Sequence, residues 1–383
     1  MSATSDTSAQ TAAPISRVAA DPANAAHAGR RDRLRAGLSA AGVDAILVTD
    51  LVNVRYLSGF TGSNAALVVT ASGDDRISTD GRYLTQVAEQ APDLTAIIAR
   101  DCPSALTEYL VGSGARIGFE KHVVTVETHQ RLLPILTGAE TLKPVGALVE
   151  DLRMVKDDDE IEQIRTACQT ADLALADILG DGLVIPGKTE RQVARALEWA
   201  MFERGAEAVS FETIVATGAN SAVPHHRPTD AVLGAGDLLK IDFGAVVGGY
   251  HSDMTRTYVL ERAESWQREI YDLVAQAQQA GREALAPGVD AGEVDAAARS
   301  IIDAAGFGEQ YVHGLGHGVG LQIHEAPSIG KLSTGTLPCG AAVTVEPGVY
   351  LPGRGGVRIE DTLVIRDGEP DLLTTTDKTF TVI

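Results

Sequence analysis

At 383 residues the chain exceeds what a single hydrophobic core usually serves, so two domains are expected. With 44% hydrophobic and 22% charged residues it has the balance of a soluble globular protein, neither disordered nor fibrous. A formal net charge of −20 repels phosphate backbones and argues against nucleic acid as a partner, and no apolar run nears the ~20 residues of a membrane helix.

Residues 1–29 contain no Leu, Phe, Trp or Tyr. They cannot supply the ~7–15 residue apolar stretch of a secretory signal, and they read as a flexible tail. Cys102, Cys168 and Cys339 are odd in number, far apart and without CxxC spacing. That excludes a disulfide framework or a cysteine zinc site and fits a reducing, cytoplasmic setting.

From residue 30 to about 148 helix and strand patterns alternate. RRDRLRAGLSAAG suits a helix stopped at Gly42; AILVT, AALVVT, LTAIIA and RIGFE read as strands, with PSALTEYLV and VETHQRLLPIL as helices between them. This predicts an α/β layer domain. The charged stretch VEDLRMVKDDDEIEQIR marks the junction, and residues 149–383 form the second domain. A long helix is predicted over 159–179. Thr189, with Gln192 three residues on, opens another that carries Val193, Leu197 and Met201 on one face and ends at Gly205. Helices at 264–285 and 293–305 alternate with two strand-rich segments, LLKIDFGAVVGGYHSDMTRTYVL and AAVTVEPGVYLPGRGGVRIEDTLVI. The second domain is therefore expected to be α+β, with antiparallel strands covered on one side by helices.

Each strand-rich segment carries two acids about a turn. Asp242 and Asp253 flank Val247-Gly248-Gly249, and folding about the midpoint between Val247 and Gly248 sets them directly opposite each other. Glu346 and Glu360 flank LPGRGG with their midpoint at Gly353, although Pro347 makes that hairpin irregular. Opposed carboxylates repel by roughly 4 kcal/mol per pair at 4 Å and an effective dielectric near 20, a cost that a divalent cation removes. A lone strand aspartate more often faces solvent or pairs with a neighbour such as Arg256 or Arg358; the repeated arrangement favours a site.

YVHGLGHGVGLQIHEAP brings His313, His317 and His324 together among glycines. The glycines argue against a helical HExxH, and no GxGxxG fits; they let backbone approach a ligand closely. His225 and His226 lie in the Pro-rich loop NSAVPHHRPTD, where His226 reads as an exposed loop residue.

In the settings KIDFG, HSDMTRT, HGLGHGVGLQIHE, VTVEPGVY and RIEDT, the order Asp, Asp, His, Glu, Glu resembles the pita-bread metallopeptidases, and within them the Xaa-Pro aminopeptidases and Xaa-Pro dipeptidases (prolidases). RLRAGLSAAGVDAILVTD, NVRYLSGFTGSNAALVV and STDGRYLTQ are similar to the creatinase-type N-terminal domain of that group. The resemblance implies an α+β pita-bread catalytic domain preceded by a smaller α/β creatinase-like N-terminal domain.

It further implies that Asp242, Asp253, His317, Glu346 and Glu360 bind two divalent metal ions, with Asp253 and Glu360 bridging. Four carboxylates balance two dications, and this hard set suits Mn²⁺, with Co²⁺, Fe²⁺ or Zn²⁺ as substitutes. A water shared by the metals would attack the carbonyl before proline. By the same resemblance Glu346 shuttles the proton, His324 stabilises the oxyanion, and His225 helps the leaving nitrogen or holds substrate. His313 lines the proline pocket, Tyr350 borders it or simply packs, and Arg358 supports the acids.

Proline-containing peptides are the implied substrates and a homodimer the implied assembly, in which Asn53–Phe60 either reach the neighbour's active site or, as the first reading, serve a structural role. An aminopeptidase is the first reading and a dipeptidase the alternative, with Arg227, Arg354 or Arg358 then candidates for the substrate carboxylate. The chain departs from many relatives at His226-Arg227-Pro228, where they carry glycine after the loop histidine, and this reshapes the substrate entrance. Methionine aminopeptidases share the ligand order but normally lack such an N-terminal domain. Creatinase works without metal, and non-enzymatic members usually lose ligands; here all five are present.

Overall fold

The computed structural model describes residues 22–383 and divides into two compact units, the first ending at Gly146 and the second spanning Ala147–Ile383. The helix predicted from residue 30 starts earlier, at Pro22, and ends at Leu38, so the expected 29-residue tail is too long at its C-terminal end. The remainder of that tail, residues 1–21, lies outside the described residues.

The first unit is built on a six-stranded mixed sheet. Ala45–Val48, Ala65–Thr70 and Arg116–Glu120 are its buried middle, as their β-branched runs predict. Ala45–Val48 pairs antiparallel with Ala65–Thr70 and parallel with Arg116–Glu120, and helix Cys102–Tyr109 packs its Leu106 on this middle. Asn53 is fully buried, and its Nδ2 donates to Glu120 Oε1 at 2.7 Å, a structural role within this unit.

In the second unit two helix pairs each cover antiparallel strands. Helices Asp158–Gly180 and Glu190–Glu203 bury Ile178, Val193 and Leu197 against Ile241 and Phe243 of strand Leu238–Phe243. Thr189 and Gln192 form the expected capping box. Helices Ser265–Glu283 and Ala291–Ala304 bury Val274, Val294 and Ile302 against Val343 and Val345 of strand Ala342–Val345. Each such side chain taken from water contributes about 1.5–3 kcal/mol.

Two long hairpins run through these layers, and both are broken midway. In the first, Leu238–Phe243 pairs with Met254–Val259, and beyond a break Ala245–Val247 pairs with Tyr250–His251. Its turn is Gly248-Gly249 alone, with φ of 56° and 77°, the left-handed pair that a two-residue hairpin loop requires. The register therefore sits two residues from the expected one, and Asp242 faces Thr255 rather than Asp253. A shift of two keeps both aspartates on one face, as diagonal neighbours. At the break Gly244 meets the chain at Ser252, where an added Cβ would lie 1.9 Å from the Ser252 carbonyl oxygen.

In the second hairpin Ala342–Val345 pairs with Asp361–Val364 and Gly348–Leu351 with Gly355–Arg358. Val345 faces Asp361 on one side of the break and Gly348 faces Arg358 on the other, one register that sets Glu346 opposite Glu360. Pro347, which lacks an N–H to donate, stands inside the break without moving the register.

Candidate metal centre

Asp253, Glu346 and Glu360 stand in the breaks and Asp242 beside one, and the four converge with an imidazole. Asp242 comes from Leu238–Phe243, Asp253 from the approach to Met254–Val259, and Glu346 and Glu360 from the second hairpin. His317 lies in the short strand Gly316–Gly318. The glycines there allow close strand packing: a Cβ on Gly316 would sit 2.0 Å from the Thr344 carbonyl oxygen.

Asp253, His317 and Glu360 each bring a donor atom within 4.8 Å of the others. His317 Nε2 is also 3.4 Å from Glu346 Oε1 and 3.5 Å from Asp253 Oδ2. His317 Nδ1 donates to the Gly318 carbonyl oxygen at 3.1 Å, and burial pushes its pKa down to about 4. A neutral ring with its proton on Nδ1 thus turns the Nε2 lone pair toward two anionic oxygens. Burial, joined by mutual repulsion, raises Asp253 and Glu360 well above the carboxylate range, and burial with Asp242 nearby takes Glu346 to about 7. Asp242 Oδ1 is buried with no hydrogen-bond partner. Lone pair, orphaned oxygen and crowded acids all fit a cation, and oxygen-rich donors suit a hard divalent one.

The support around these acids is specific. Glu360 accepts from Thr255 Oγ1 at 2.6 Å, and Arg358 Nε donates to the same hydroxyl at 3.0 Å. The Arg358 guanidinium also ion-pairs with Asp242 and donates to Tyr350 Oη at 2.8 Å. Thr344 Oγ1 lies 3.4 Å from Glu346 Oε1. Thr255 and Thr344 escaped the sequence reading. Thr255 was nonetheless visible as the residue two beyond Asp253, on the same strand face.

A cavity of about 260 Å³ opens on the acids and is lined also by His225, His317 and His324. His225 and His324 are exposed, and the His324 ring meets that of His317 edge-on at 4.4 Å. Phe211, Ile214 and Ile323 form an apolar wall, and Glu212 and Arg227 form an ion pair at 2.8 Å.

His313, expected at the proline pocket, does not line this cavity; nor do Tyr350 and Arg358, which take the packed and supporting places also read for them. His313 borders a separate depression, and its Nε2 lies 2.8 Å from Tyr350 Oη. Tyr350 is packed inside, so these three form a hydrogen-bonded chain behind Asp242. His226 is no exposed loop residue either: its Nε2 lies 2.8 Å from buried Glu190 Oε2.

Residues 162–367 match the model of metallopeptidase family M24, and residues 30–155 match the creatinase/prolidase N-terminal domain. The chain belongs to metallopeptidase family M24. It is a hydrolase with a pita-bread catalytic half, and its family implies divalent metal ions. It is 42% identical over 346 residues to the Xaa-Pro dipeptidase of Pyrococcus horikoshii, covering 88% of this chain and 94% of that one. Among solved structures, the Xaa-Pro dipeptidase from Bacillus anthracis superposes with a TM-score of 0.89 at 35% identity, covering 93% of this chain and 100% of that one. The X-Pro aminopeptidase from Thermotoga maritima gives 0.84 at 32% identity, covering 92% and 100%. No helix among the described residues of this M24 protein is long and apolar enough to cross a membrane.

Proposed function

We propose that this protein is a dinuclear metal-dependent Xaa-Pro peptidase, with Asp242, Asp253, His317, Glu346 and Glu360 holding two ions, Mn²⁺ the best fit to the donors. The observation that carries this reading is the neutral His317 lone pair facing carboxylate oxygens among buried, mutually repelling acids. When bound, divalent ions in such a set supply Lewis acidity and a nucleophile ionised near neutral pH.

The residues of the chain then divide the work. Glu346, which lines the cavity, takes and returns the proton. His324, exposed beside His317, donates to the developing oxyanion. His225 lines the same cavity and is exposed, placed to contact the substrate or the leaving nitrogen. Arg358 and Thr255 hold Asp242 and Glu360 in place, since supporting groups of this kind set ligand orientation. His313 and Tyr350 act through that same support. Three free cysteines without a disulfide among them suit the reducing interior of a cell.

Dipeptides are the substrates we favour, which exchanges the order of the two readings made from sequence. The P. horikoshii and B. anthracis proteins are named for dipeptides. Of the three candidate arginines only Arg227 lines the cavity; Arg354 stacks on Trp266 at 4.3 Å, and Arg358 is spent inside. Action on longer chains is the second reading, favoured by the likeness to the T. maritima aminopeptidase. The test is hydrolysis of Xaa-Pro dipeptides and Xaa-Pro tripeptides by Mn²⁺-loaded protein before and after chelation. Chelation should abolish turnover and Mn²⁺ restore it, with dipeptides cleaved faster. Turnover that survives metal removal would sink the mechanism, and faster tripeptide cleavage would favour the second reading.

A further inference from the structure

The loop that carries His225 is fixed at both ends by buried charge, and one of the charges has no place in the chemistry above. On one side stands Glu190, the first residue of its helix and fully buried. Its carboxylate accepts from Thr217 N at 2.9 Å, Asn220 Nδ2 at 2.8 Å and Thr229 N at 2.9 Å, and it meets His226. On the other side stands Lys240, two residues before Asp242 on the same face of the same strand and also fully buried. Its Nζ donates to the Val223 carbonyl oxygen at 2.6 Å and to that of Pro224 at 3.1 Å. The Pro224 carbonyl takes a further bond from Arg358 at 3.2 Å.

A buried ammonium is costly unless its donors are used, and charge-assisted bonds to carbonyls are the stronger kind. Here the acceptors are the two carbonyls that immediately precede His225. Pro224 removes a backbone donor and fixes φ, so the segment has no strand or helix of its own to hold it. Its geometry is set from below by Lys240 and from the side by Glu190.

We propose that Lys240 is the positioning residue for His225, pinning the Val223–Pro224 backbone so that the imidazole stands over the acids. The inference rests on the reading of His225 as a substrate-contacting group. Misplacing such a group by about 1 Å costs on the order of 100-fold in rate, so the pin should appear in turnover rather than in metal content.

The experiment is a double-mutant cycle on the Mn²⁺-loaded enzyme with an Xaa-Pro dipeptide, reading kcat, KM, metal content and melting temperature for Lys240→Met, His225→Ala and both together. Lys240→Met should lower kcat by about 10–100-fold with metal content unchanged, and Lys240→Arg, which keeps a donor, should recover most of it. In the His225→Ala background the lysine substitution should cost no more than about threefold, because the group it positions is gone. Full additivity of the two losses, or a loss of metal that accounts for the fall in kcat, would overturn the role of Lys240. If His225→Ala alone left kcat unchanged, the substrate role of His225 would fall first and the pin with it, a result distinguishable from additivity. Should Lys240→Met fail to fold, Lys240→Gln is read through the same cycle.

Discussion

The hairpin Leu238–Val259 and the hairpin Ala342–Val364 are alike in outline, since each is a paired ribbon interrupted midway where its acids stand. They differ in how the acids are compensated. On the first, Asp242 and Asp253 are diagonal neighbours, and Asp242 is ion-paired with Arg358. On the second, Glu346 and Glu360 stand directly opposite each other; Thr344 and Thr255 offer them hydroxyls, and His317 Nε2 faces Glu346. The Arg358 guanidinium thus pairs directly with an acid of the first ribbon, while on the second its charge acts on the glutamates without an ion pair and burial still raises both.

If both ribbons hold the same pair of ions, neutralising an acid on either should empty the site. Asp253→Asn and Glu360→Gln are each expected to lower hydrolysis by more than about 100-fold, beyond the range for merely supporting groups, with bound metal at least halved by elemental analysis. Full metal in either variant would break the picture of a shared centre.

A smaller effect, shared by both ribbons, is read through pH. Burial raises Glu346 to about 7, with Asp253 and Glu360 also raised, so these groups bind protons more tightly folded than unfolded. Stability of the metal-free protein should therefore fall as pH rises from the unfolded carboxylate value near ~4.3 through about 7. Saturating Mn²⁺ should reverse the trend, because bound metal replaces those protons. Melting curves at pH 5.5 and 8, with chelator and with Mn²⁺, check it: the metal-induced rise should be larger at pH 8. An equal rise at both values would mean that the acids are not crowded.

The mildest expected change is Thr255→Val, which strips Glu360 of its hydroxyl donor and leaves Arg358 Nε without its acceptor. A cost of about 1–3 kcal/mol follows from leaving buried polar groups unmet. Chemical denaturation of the metal-free protein would measure it, and a neutral result would show that the hydroxyl is dispensable.

Most elements of the second unit were legible because their signals are local. Thr189 with Gln192 announced one helix, and β-branched runs announced the strands. The glutamate hairpin kept the register that its midpoint gives, despite Pro347. The aspartate hairpin did not, because a Gly-Gly turn takes a two-residue loop, and that moves every partner by two. Side-chain faces survived the shift, so the acids still converged. His313 was placed by resemblance, and its position depends on packing that no local pattern encodes. His226 was misread for the same reason: its partner Glu190 is 36 residues away in the chain.

The bond from His317 Nδ1 to the Gly318 carbonyl has a consequence for the proton inventory of ion capture. Because that ring is already neutral, with its single proton committed to the backbone, an arriving dication displaces nothing from the imidazole. The protons liberated at neutral pH would come from the carboxyl groups and from the water that the ions ionise, and the histidine offers its lone pair in an orientation fixed when the chain folded.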